Sequence, residues 1–352
     1  MKRYICELGP GEDYPGGILT VINDYMNSPY LSKYNLKHII TVRKKHKALG
    51  FLYGLLTYTY FCLFKKVELG HIHMSERGSC TRAILIIYLS SLFNVPIIVH
   101  SHGSEIIEYY KGLEGFHKRA FDNAMNKAKK IIVLTPGWKG FWKKIVREDK
   151  LEVLPNFVQV PNISKKTYKQ NNKLNILFLG YIGERKGTYD LINAVSYLVK
   201  KKHEFNINLK VAGNGEIEKC KRLINSLNLE PYIEVVGWAD SNKKAQLLSK
   251  ADLLILPSHF ESFGIVALEA MANRLAVICG DKGYTKELVI DGYNGYIAKS
   301  GNPSDIANKI IKAKNNLQNL GQNGYITVQN NYTEKIIIEK LSKIYNEVRE
   351  IE

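Results

Sequence analysis

The segment DLLILPSHFESFGIVALEAMAN, residues Asp252 to Asn273, decides the fold that this sequence predicts. Its first part, Asp252–Pro257, is an apolar run of strand length, and Ala267–Asn273 has the composition of a helix. A strand, a short turn and a helix in that order form the repeating unit of parallel sheets. We therefore expect an α/β chain in which a helix begins just after this strand ends.

The turn itself, ESFGIVALE, carries two carboxylates, Glu261 and Glu269, with a glycine between them. A helix N-terminus presents backbone N–H groups and the positive end of its dipole, so it attracts anions. At a helical rise of ~1.5 Å per residue, the two glutamates are at most about 12 Å apart. This span suits a ligand with hydroxyls at both ends and negative charge in the middle, such as a nucleotide sugar. An ordinary turn with two solvated glutamates is the alternative.

The strand and helix alternation extends over most of the chain and is interrupted once, at Pro155–Lys173, by a segment rich in Pro, Asn, Lys and Ser. Candidate strands are Tyr4–Leu8, His38–Val42, Leu69–His73, Val95–His100, Lys130–Leu134, Leu151–Leu154, Asn175–Leu179, Asn206–Ala212, Ile233–Val236, Leu253–Leu256 and Ala276–Cys279. Candidate helices are Ile18–Met26, Ala48–Phe64, Thr81–Phe93, Phe116–Lys127, Trp138–Val146, Tyr189–Lys201, Glu216–Asn225, Lys243–Leu248, Val266–Asn273, Ser304–Ala313 and Thr333–Arg349. The pattern predicts two Rossmann-like, doubly wound domains, residues 1–165 and 166–335, with a ligand cleft between the carboxyl ends of their strands.

Composition narrows the class of protein. The length of 352 residues suggests about two domains, and 45% hydrophobic residues suffice for a sizeable core. The five cysteines are scattered and form no C-x-x-C pair, which favours reduced thiols in a cytoplasmic compartment over disulfides or a zinc site. The apolar run after Met1 is too short for a signal peptide.

The net charge of +17 is concentrated in the first half: residues 1–166 hold 25 Lys and Arg against 13 Asp and Glu, and the remainder holds 25 against 20. Such an excess indicates a polyanionic partner. No nucleic-acid module is present, so we expect an anionic membrane surface or phosphorylated substrates and no nucleic acid. A basic surface that serves only solubility is the alternative.

Residues Ala48–Phe64 form a run of 17 uncharged residues, flanked by Arg43–Lys47 and by Lys65–Lys66. The run is at the lower limit for a transmembrane helix and contains several aromatic residues and glycines, so a membrane span is disfavoured. Two interpretations remain: a helix buried in the first domain, or a helix whose face inserts partly into a membrane while the flanking cations contact lipid phosphates.

Leu179–Gly187, LGYIGERKG, follows a strand in the second half. Gly183 and its neighbouring glycines permit a tight turn, and Arg185 and Lys186 can bind a diphosphate with a planar fork and a point charge. No set of metal ligands is visible in the sequence. We therefore predict that these two cations stabilise a leaving diphosphate in place of a metal ion.

In the first half, three glycine or histidine motifs follow predicted strands. Gly16 and Gly17, in GPGEDYPGG, would let a ligand approach the backbone, although a flexible turn is an alternative. His102, in HSHGSE, lies where α/β proteins bind ligands, and a structural histidine is the alternative. Ser75 and Arg77, in HIHMSERGS, are candidates for holding a phosphate on the acceptor side.

Taken in series, the glycine pair Gly16–Gly17, HSHG at His100–Gly103, GERKG at Gly183–Gly187 and E-SFG-x4-E at Glu261–Glu269 resemble family 4 of the retaining glycosyltransferases. The resemblance covers almost the whole chain. It implies a GT-B fold and a sugar transfer from a nucleotide diphosphate donor that retains the anomeric configuration. It departs from the common pattern at Val266, where proline is frequent.

The resemblance also implies roles for individual residues. Glu261 would hold the hydroxyls of the donor sugar, Glu269 those of the ribose, and Arg185 and Lys186 the diphosphate, helped by backbone amides of Gly264, Ile265 and Val266. His102 would lie beside the donor sugar, Gly16 and Gly17 would line the cleft, and a last helix, Ile336–Glu352, would pack on the first domain. No residue is a dedicated general base, so the leaving phosphate would accept the proton of the acceptor.

These implications give a hexosyl- or N-acetylhexosaminyl-type transferase that needs neither cofactor nor metal, uses a UDP-linked donor and glycosylates a saccharide or lipid-linked acceptor. We expect it on the cytoplasmic face of the cell membrane, as a peripheral protein in surface polysaccharide assembly. Two alternatives remain: a nucleotide-sugar epimerase of related fold, and a noncatalytic membrane-associated binding protein.

Overall fold

The computed structural model describes residues 2–14, 16–162 and 173–350, which fold into two compact units. Unit 1 comprises Met1–Asn156 together with Glu334–Glu352, and unit 2 comprises Phe157–Thr333. The domain boundary that the sequence predicts, between residues 165 and 166, lies outside the described residues.

Unit 1 is a six-stranded parallel sheet in the order β2-β1-β3-β4-β5-β6. Its strands are β1 (Tyr4–Pro10), β2 (Leu36–Val42), β3 (Val67–Met74), β4 (Ile97–Ser101), β5 (Lys130–Val133) and β6 (Leu151–Val153). Its helices are α1 (Gly17–Asn27), α2 (Lys47–Leu63), α3 (Gly78–Leu92), α4 (Ile106–Lys111), α5 (Gly115–Lys127), α6 (Lys139–Trp142) and, after unit 2 in chain order, α13 (Glu334–Glu350).

Unit 2 is a second six-stranded parallel sheet, in the order β12-β11-β10-β7-β8-β9. Its strands are β7 (Leu174–Leu179), β8 (Ile207–Ala212), β9 (Ile233–Gly237), β10 (Leu253–Leu256), β11 (Ala276–Gly280) and β12 (Gly295–Ala298). Its helices are α7 (Thr188–Lys202), α8 (Ile217–Ser226), α9 (Ser241–Lys250), α10 (Ile265–Ala272), α11 (Pro303–Lys314) and α12 (Leu317–Asn331).

The predicted doubly wound parallel sheet is confirmed in both units. The central strands β4, β10 and β11 are buried along their whole length, as expected where helices cover both faces of a sheet. In each sheet the first strand is an inner one, and the chain adds strands on one side of it and then on the other. The strand order therefore reverses between β1 and β3 in unit 1 and between β7 and β10 in unit 2. The carboxyl end of the sheet at such a reversal is where α/β proteins bind ligands.

Helix α2 packs on the sheet of unit 1 by its small residues. A Cβ atom on Gly54 would lie 2.0 Å from the carbonyl oxygen of Ile40, so only glycine permits this approach of helix to strand. Gly50, Tyr58 and Cys62 are buried on the same side. The run Ala48–Phe64 is therefore a surface helix that packs on the sheet by one face, where two glycines allow close approach and Tyr58 is buried.

Candidate functional site

The residues singled out in the sequence fall into two groups, one in each unit. Unit 2 holds the cationic pair, the two glutamates and the turn before α10. Unit 1 holds the glycine pair, the histidine loop and the serine–arginine loop.

In unit 2 the loops that follow β7 and β10 meet at the point where the sheet order reverses. These two strands are adjacent, with Leu253 beside Ile176 and Leu254 beside Leu177. The backbone N–H of His259 donates to the carbonyl of Arg185 at 2.9 Å. His259 Nε2 also contacts Asp190 Oδ2 in the first turn of α7, at 2.6 Å, so the loop after β10 is bonded both to the loop after β7 and to the helix that follows it.

Lys186 and Glu261 form an ion pair across these two loops, between Lys186 Nζ and Glu261 Oε2. Both side chains are largely buried, and Ser258 Oγ lies 3.4 Å from the same carboxylate oxygen. Gly187 makes the approach possible: its φ is +69°, and a Cβ there would lie 2.2 Å from the carbonyl oxygen of Pro257. The GERKG motif and the ESFG motif therefore form one site.

Helix α10 begins inside this site. Its N-cap is Gly264, with φ +86°, and a Cβ there would lie 2.6 Å from Thr285 Oγ1. Glycine supplies no side-chain oxygen to cap the helix, so the first N–H groups, from Ile265 and Val266, are suited to an external acceptor. The position of the helix start agrees with the sequence prediction to within one residue.

Glu269 lies in α10 and contacts Lys244 of α9, with 2.5 Å between Oε1 and Nζ. The second oxygen, Oε2, is buried and has no hydrogen-bond partner within the residues that the structure describes. Lys244 was not singled out by the sequence, because no motif surrounds it. The available signal was a Lys-Lys pair in a helix 25 residues before Glu269, which does not distinguish it from other surface lysines.

In unit 1 the glycine pair opens α1. A Cβ atom at Gly16 or Gly17 would meet no atom of the other described residues within 4 Å. The fold therefore leaves open space at this helix start, and the packing within the described residues does not itself require glycine.

The serine–arginine loop follows β3. Arg77 is mostly exposed and pairs with Glu105 at 3.1 Å, and the N–H of Ser75 donates to Ser79 Oγ at 3.1 Å. The histidine loop after β4 is adjacent, since the N–H of His102 donates to the carbonyl of Met74 at 2.8 Å. Ser75, Arg77 and His102 thus lie at the same edge of the sheet.

His102 belongs to a cluster of four histidines over the middle of this sheet. His102 Nε2 lies 3.0 Å from His73 Nδ1, and His73 Nε2 lies 2.7 Å from the carboxylate of Glu7. Tyr345 of α13 donates to Glu7 at 2.7 Å. Neither nitrogen of the buried His100 has a hydrogen-bond partner in the part of the chain that the structure describes.

One ring nitrogen of each of His71, His73 and His100 lies within 4.8 Å of the other two, which is the spacing of a possible metal site. His71 Nδ1 is, however, engaged with Tyr345 at 2.8 Å, and both nitrogens of His73 are engaged with Glu7 and His102. Coordination by His73 would break one of these contacts. The arrangement is therefore described better as a hydrogen-bond network.

Burial and the contacts between these groups together set the charges in this network. Burial alone would raise the pKa of Glu7, but the charge of His71 and the hydrogen bonds from His71 and His73 outweigh it and hold that pKa well below its ordinary value. Burial and the neighbouring His71 lower the pKa of His73 to about 4, against the opposing effect of Glu7. Burial and the neighbouring histidines also hold the pKa values of His100 and His102 well below the usual range.

Residues 159–327 match the family model of the group 1 glycosyl transferases. Over 80% of its length the chain is 29% identical to an uncharacterized glycosyltransferase of Methanocaldococcus jannaschii, of which it covers 76%. It is 27% identical to the capsular polysaccharide biosynthesis glycosyltransferase CapM of Staphylococcus aureus, over 71% of this chain and 70% of that protein.

The fold of the chain is similar to that of HepE from Anabaena, which was crystallised in complex with UDP. The TM-score is 0.78, and the match covers 98% of this chain and 100% of HepE at 17% identity. At this level of identity the likeness concerns the fold, and it confirms the GT-B architecture that the motifs predict.

Proposed function

We propose that this chain, which has a GT-B fold and matches the family model of the group 1 glycosyl transferases over residues 159–327, transfers a sugar from a UDP-sugar to a saccharide or lipid-linked acceptor, with retention of configuration. The observation that carries the proposal is the Lys186–Glu261 pair, held between two loops at the sheet reversal of unit 2, where helix α10 begins.

Each part of this site matches one part of the proposed donor. An ammonium group has three donors, so Lys186 can keep Glu261 and still bind a phosphate oxygen. Arg185 and the N–H groups at the start of α10 add positive charge for the diphosphate. Glu261 accepts hydrogen bonds from hydroxyls of the sugar while it remains paired with Lys186.

Glu269 is assigned to the ribose. A carboxylate can accept from both hydroxyls of a diol, and the buried Oε2 of Glu269 is an acceptor that lacks a partner among the described residues. Lys244 balances the charge of this carboxylate and can donate to a ribose oxygen. Glu269 and Lys244 would therefore act in binding, with no direct part in bond making.

The reaction follows from this charge distribution. The bond between the anomeric carbon and the diphosphate oxygen breaks, and the oxygen of the acceptor forms a new bond to the same face of that carbon. The proton of the acceptor hydroxyl passes to the departing phosphate oxygen. Lys186 and Arg185 stabilise the negative charge that develops there, a task that a metal ion performs in other transferases, so we expect turnover without a divalent metal or other cofactor.

The choice of nucleotide and pathway rests on the relatives. The complex of HepE with UDP supports a uridine nucleotide, and the name of CapM supports a role in polysaccharide assembly.

The proposal is tested first by thermal shift with UDP-, GDP- and dTDP-sugars and by release of free UDP with a saccharide acceptor. A ligand that binds only the native state raises the melting temperature, by an amount that grows with its concentration over Kd. We expect UDP-sugars to give the largest shift, and the new glycosidic linkage, read by NMR coupling, to keep the anomeric configuration of the donor.

In the same assay Lys186→Ala should lower kcat at least about 100-fold, because it removes charge that acts on the leaving group. Lys200→Ala is the control, since Lys200 is an exposed lysine in the last turn of α7. Equal activity of the Lys186 variant and wild type would refute the site. Interconversion of UDP-sugars without an acceptor would support an epimerase, and ligand binding without turnover would support a binding protein.

We further propose that the protein works as a peripheral protein on the cytoplasmic face of an anionic membrane. Helix α2 exposes an apolar stripe on the side away from the sheet: Leu49, Leu52, Tyr53, Leu56, Tyr60, Leu63 and, at its C-cap, Phe64 are all 48–68% exposed. At ~100° per residue these positions fall within an arc of about 120°. Soluble surfaces rarely expose so continuous an apolar stripe.

Basic residues lie at both ends of this stripe. Residues 43–47, RKKHK, are exposed and lead into the first turn of α2, which begins at Lys47, and Lys65 is exposed after its last turn. Such cations can bind lipid phosphates while the apolar side chains enter the interface. Among the described residues no helix has the length and apolarity that crossing a bilayer requires.

A further inference from the structure

Two residues of the loop after β10 hold the cationic pair of unit 2. The backbone N–H of His259 donates to the carbonyl of Arg185 at 2.9 Å, and Glu261, in the same loop, pairs with Lys186. The positions of both cations therefore depend on the position of this loop.

The turn that carries these cations is held at its base by its own hydrogen bonds. Glu184–Lys186 form a single turn of 3-10 helix between Gly183 and Gly187. The N–H of Gly183 donates to Thr188 Oγ1 at 3.1 Å, which closes the base of the turn. Because glycine permits many backbone conformations, the tip of the turn needs contacts with other residues to aim its two cations.

The side chain of His259 binds the start of helix α7. Its Nε2–H donates to Asp190 Oδ2 at 2.6 Å, because a carboxylate can only accept. Asp190 lies in the first turn of α7, where the helix dipole favours a negative charge, and only 16% of its side chain is exposed. The next two residues, Leu191 and Ile192, are fully buried in the core of unit 2, so Asp190 is a rigid anchor for the loop.

His259 thus holds both the turn and the helix that follows it, since its backbone binds Arg185 and its side chain binds Asp190. On its other side the loop after β10 is held by Ser300, whose Oγ donates to the carbonyl of Ser258 at 3.1 Å. Loss of the bond to Asp190 would leave that side fixed and would release the side that faces the cationic turn.

We propose that the bond between His259 and Asp190 positions Arg185 and Lys186 for the diphosphate of the donor, so that both cations are aimed before the donor binds. This inference rests on the proposed transferase function. His259 and Asp190 are positioning residues, and neither contacts the donor. The bond acts mainly on the phosphate next to the sugar, because the charge that develops when the sugar departs lies there.

The affinities for UDP and UMP measure this effect, because the two nucleotides differ by that phosphate. Isothermal titration calorimetry gives Kd for both. His259→Leu removes the donor to Asp190, so Kd for UDP should rise about tenfold while Kd for UMP changes by less than about twofold. His259→Gln can place an amide N–H near the position of Nε2 and should restore most of the affinity for UDP.

Lys314→Met is the matched control, since Lys314 Nζ and Glu204 Oε2 form another partly buried bond in unit 2, at 2.7 Å. Glu204 follows the last turn of α7, at the opposite end of that helix from Asp190. This variant should lower the melting temperature and keep the wild-type ratio of the two Kd values. If His259→Leu weakens UDP and UMP equally, its effect is a general loss of structure, and the proposal is overturned.

A double-mutant cycle separates positioning of the cations from other effects of the bond. His259→Leu should lower kcat about tenfold in the wild-type background and much less in a Lys186→Ala background, where the main cation to be positioned is missing. Asp190→Ala combined with His259→Leu should be no worse than either change alone. Independent effects of His259→Leu and Lys186→Ala would contradict the proposal.

Failure of the positioning role and failure of the proposed function give different results. If wild type turns over UDP-sugars and His259→Leu keeps the full preference for UDP over UMP, the positioning role is wrong and the function stands. If wild type binds neither nucleotide and turns over no UDP-sugar, the proposed function fails and the positioning of its diphosphate fails with it. If His259→Leu does not fold, Asp190→Ala tests the same bond with the histidine in place.

Discussion

At the scale of single residues, the sequence identified the two glutamates of unit 2 but gave no reason to select Lys244. Glu261 and Lys186 each stand in a short motif that follows a strand, so their meeting could be expected from the sheet topology. Lys244 lies on a helix, and its contact with Glu269 depends on how α9 packs against the rest of the unit. Local pattern does not determine that packing.

A first prediction concerns the ion pair between Lys244 and Glu269. Lys244→Met leaves the partly buried carboxylate of Glu269 without its cation, so binding of the ribose should weaken. We expect the KM for the donor to rise about threefold to tenfold with little change in kcat, since an interaction made equally in the ground and transition states affects binding alone. Steady-state kinetics with a UDP-sugar measure both constants.

Lys243→Met provides the control for Lys244→Met, because the neighbouring side chain is exposed and carries the same charge. Lys244→Arg should retain most of the affinity. A selective fall in kcat would contradict the assignment of Glu269 and Lys244 to binding.

At the scale of elements, the motif-bearing strands and helices were predicted and several peripheral ones were not. Helix α12 was missed because LQNLGQNGYITVQNN is rich in asparagine and glycine, which favour turns. Tertiary packing overrides this preference: a Cβ on Gly321 would lie 2.1 Å from the carbonyl oxygen of Arg274. The edge strand β12 and the short helix α4 are too short to show a clear pattern of apolar residues in the sequence. The helix predicted over Trp138–Val146 was wrong in length, because this segment forms only the short helix α6 and turns.

Helix α2 carries a prediction of its own. Leu52→Glu with Leu56→Glu puts two charges on the exposed apolar stripe, so partitioning onto phosphatidylglycerol vesicles should fall at least about tenfold in a sedimentation assay. The apolar run alone could not decide between a buried and a membrane-facing helix, because the answer depends on which face the sheet covers.

The matched control for α2 adds the same two charges elsewhere, by Gln318→Glu with Asn330→Glu on the exposed side of α12. Binding of the wild type should also weaken as salt screens the lipid phosphates from residues 43–47. Wild-type protein that stays in the supernatant at low salt would refute the membrane proposal.

At the scale of the whole molecule, the buried histidines make the stability of unit 1 depend on pH. The unfolded chain protonates His73 near pH 6.5, whereas the native state resists protonation until about pH 4. Between these values the unfolded state binds more protons, so stability falls as pH falls, by about 1.4 kcal/mol per pH unit from His73 alone. His102 and His100 act in the same direction, and protonation of Glu7 adds to the loss at lower pH.

Urea unfolding at several pH values checks this prediction, with fluorescence of Trp138 and Trp142, both buried in unit 1, as the probe. His73→Leu should flatten the dependence on pH, whereas His117→Asn, at an exposed position on α5, should leave it unchanged. A wild-type stability that is constant between pH 7 and pH 5 would contradict the prediction.

The bond between Tyr345 and Glu7 joins residues 338 positions apart in the chain. On a ribosome, β1 therefore leaves the exit tunnel long before the helix that donates to its carboxylate has been made. All of unit 2, Phe157–Thr333, is synthesised in between and can fold first. A nascent chain interrupted before α13 would hold the strands of unit 1 with Glu7 lacking one of its donors, so this unit completes its folding only after the last helix emerges.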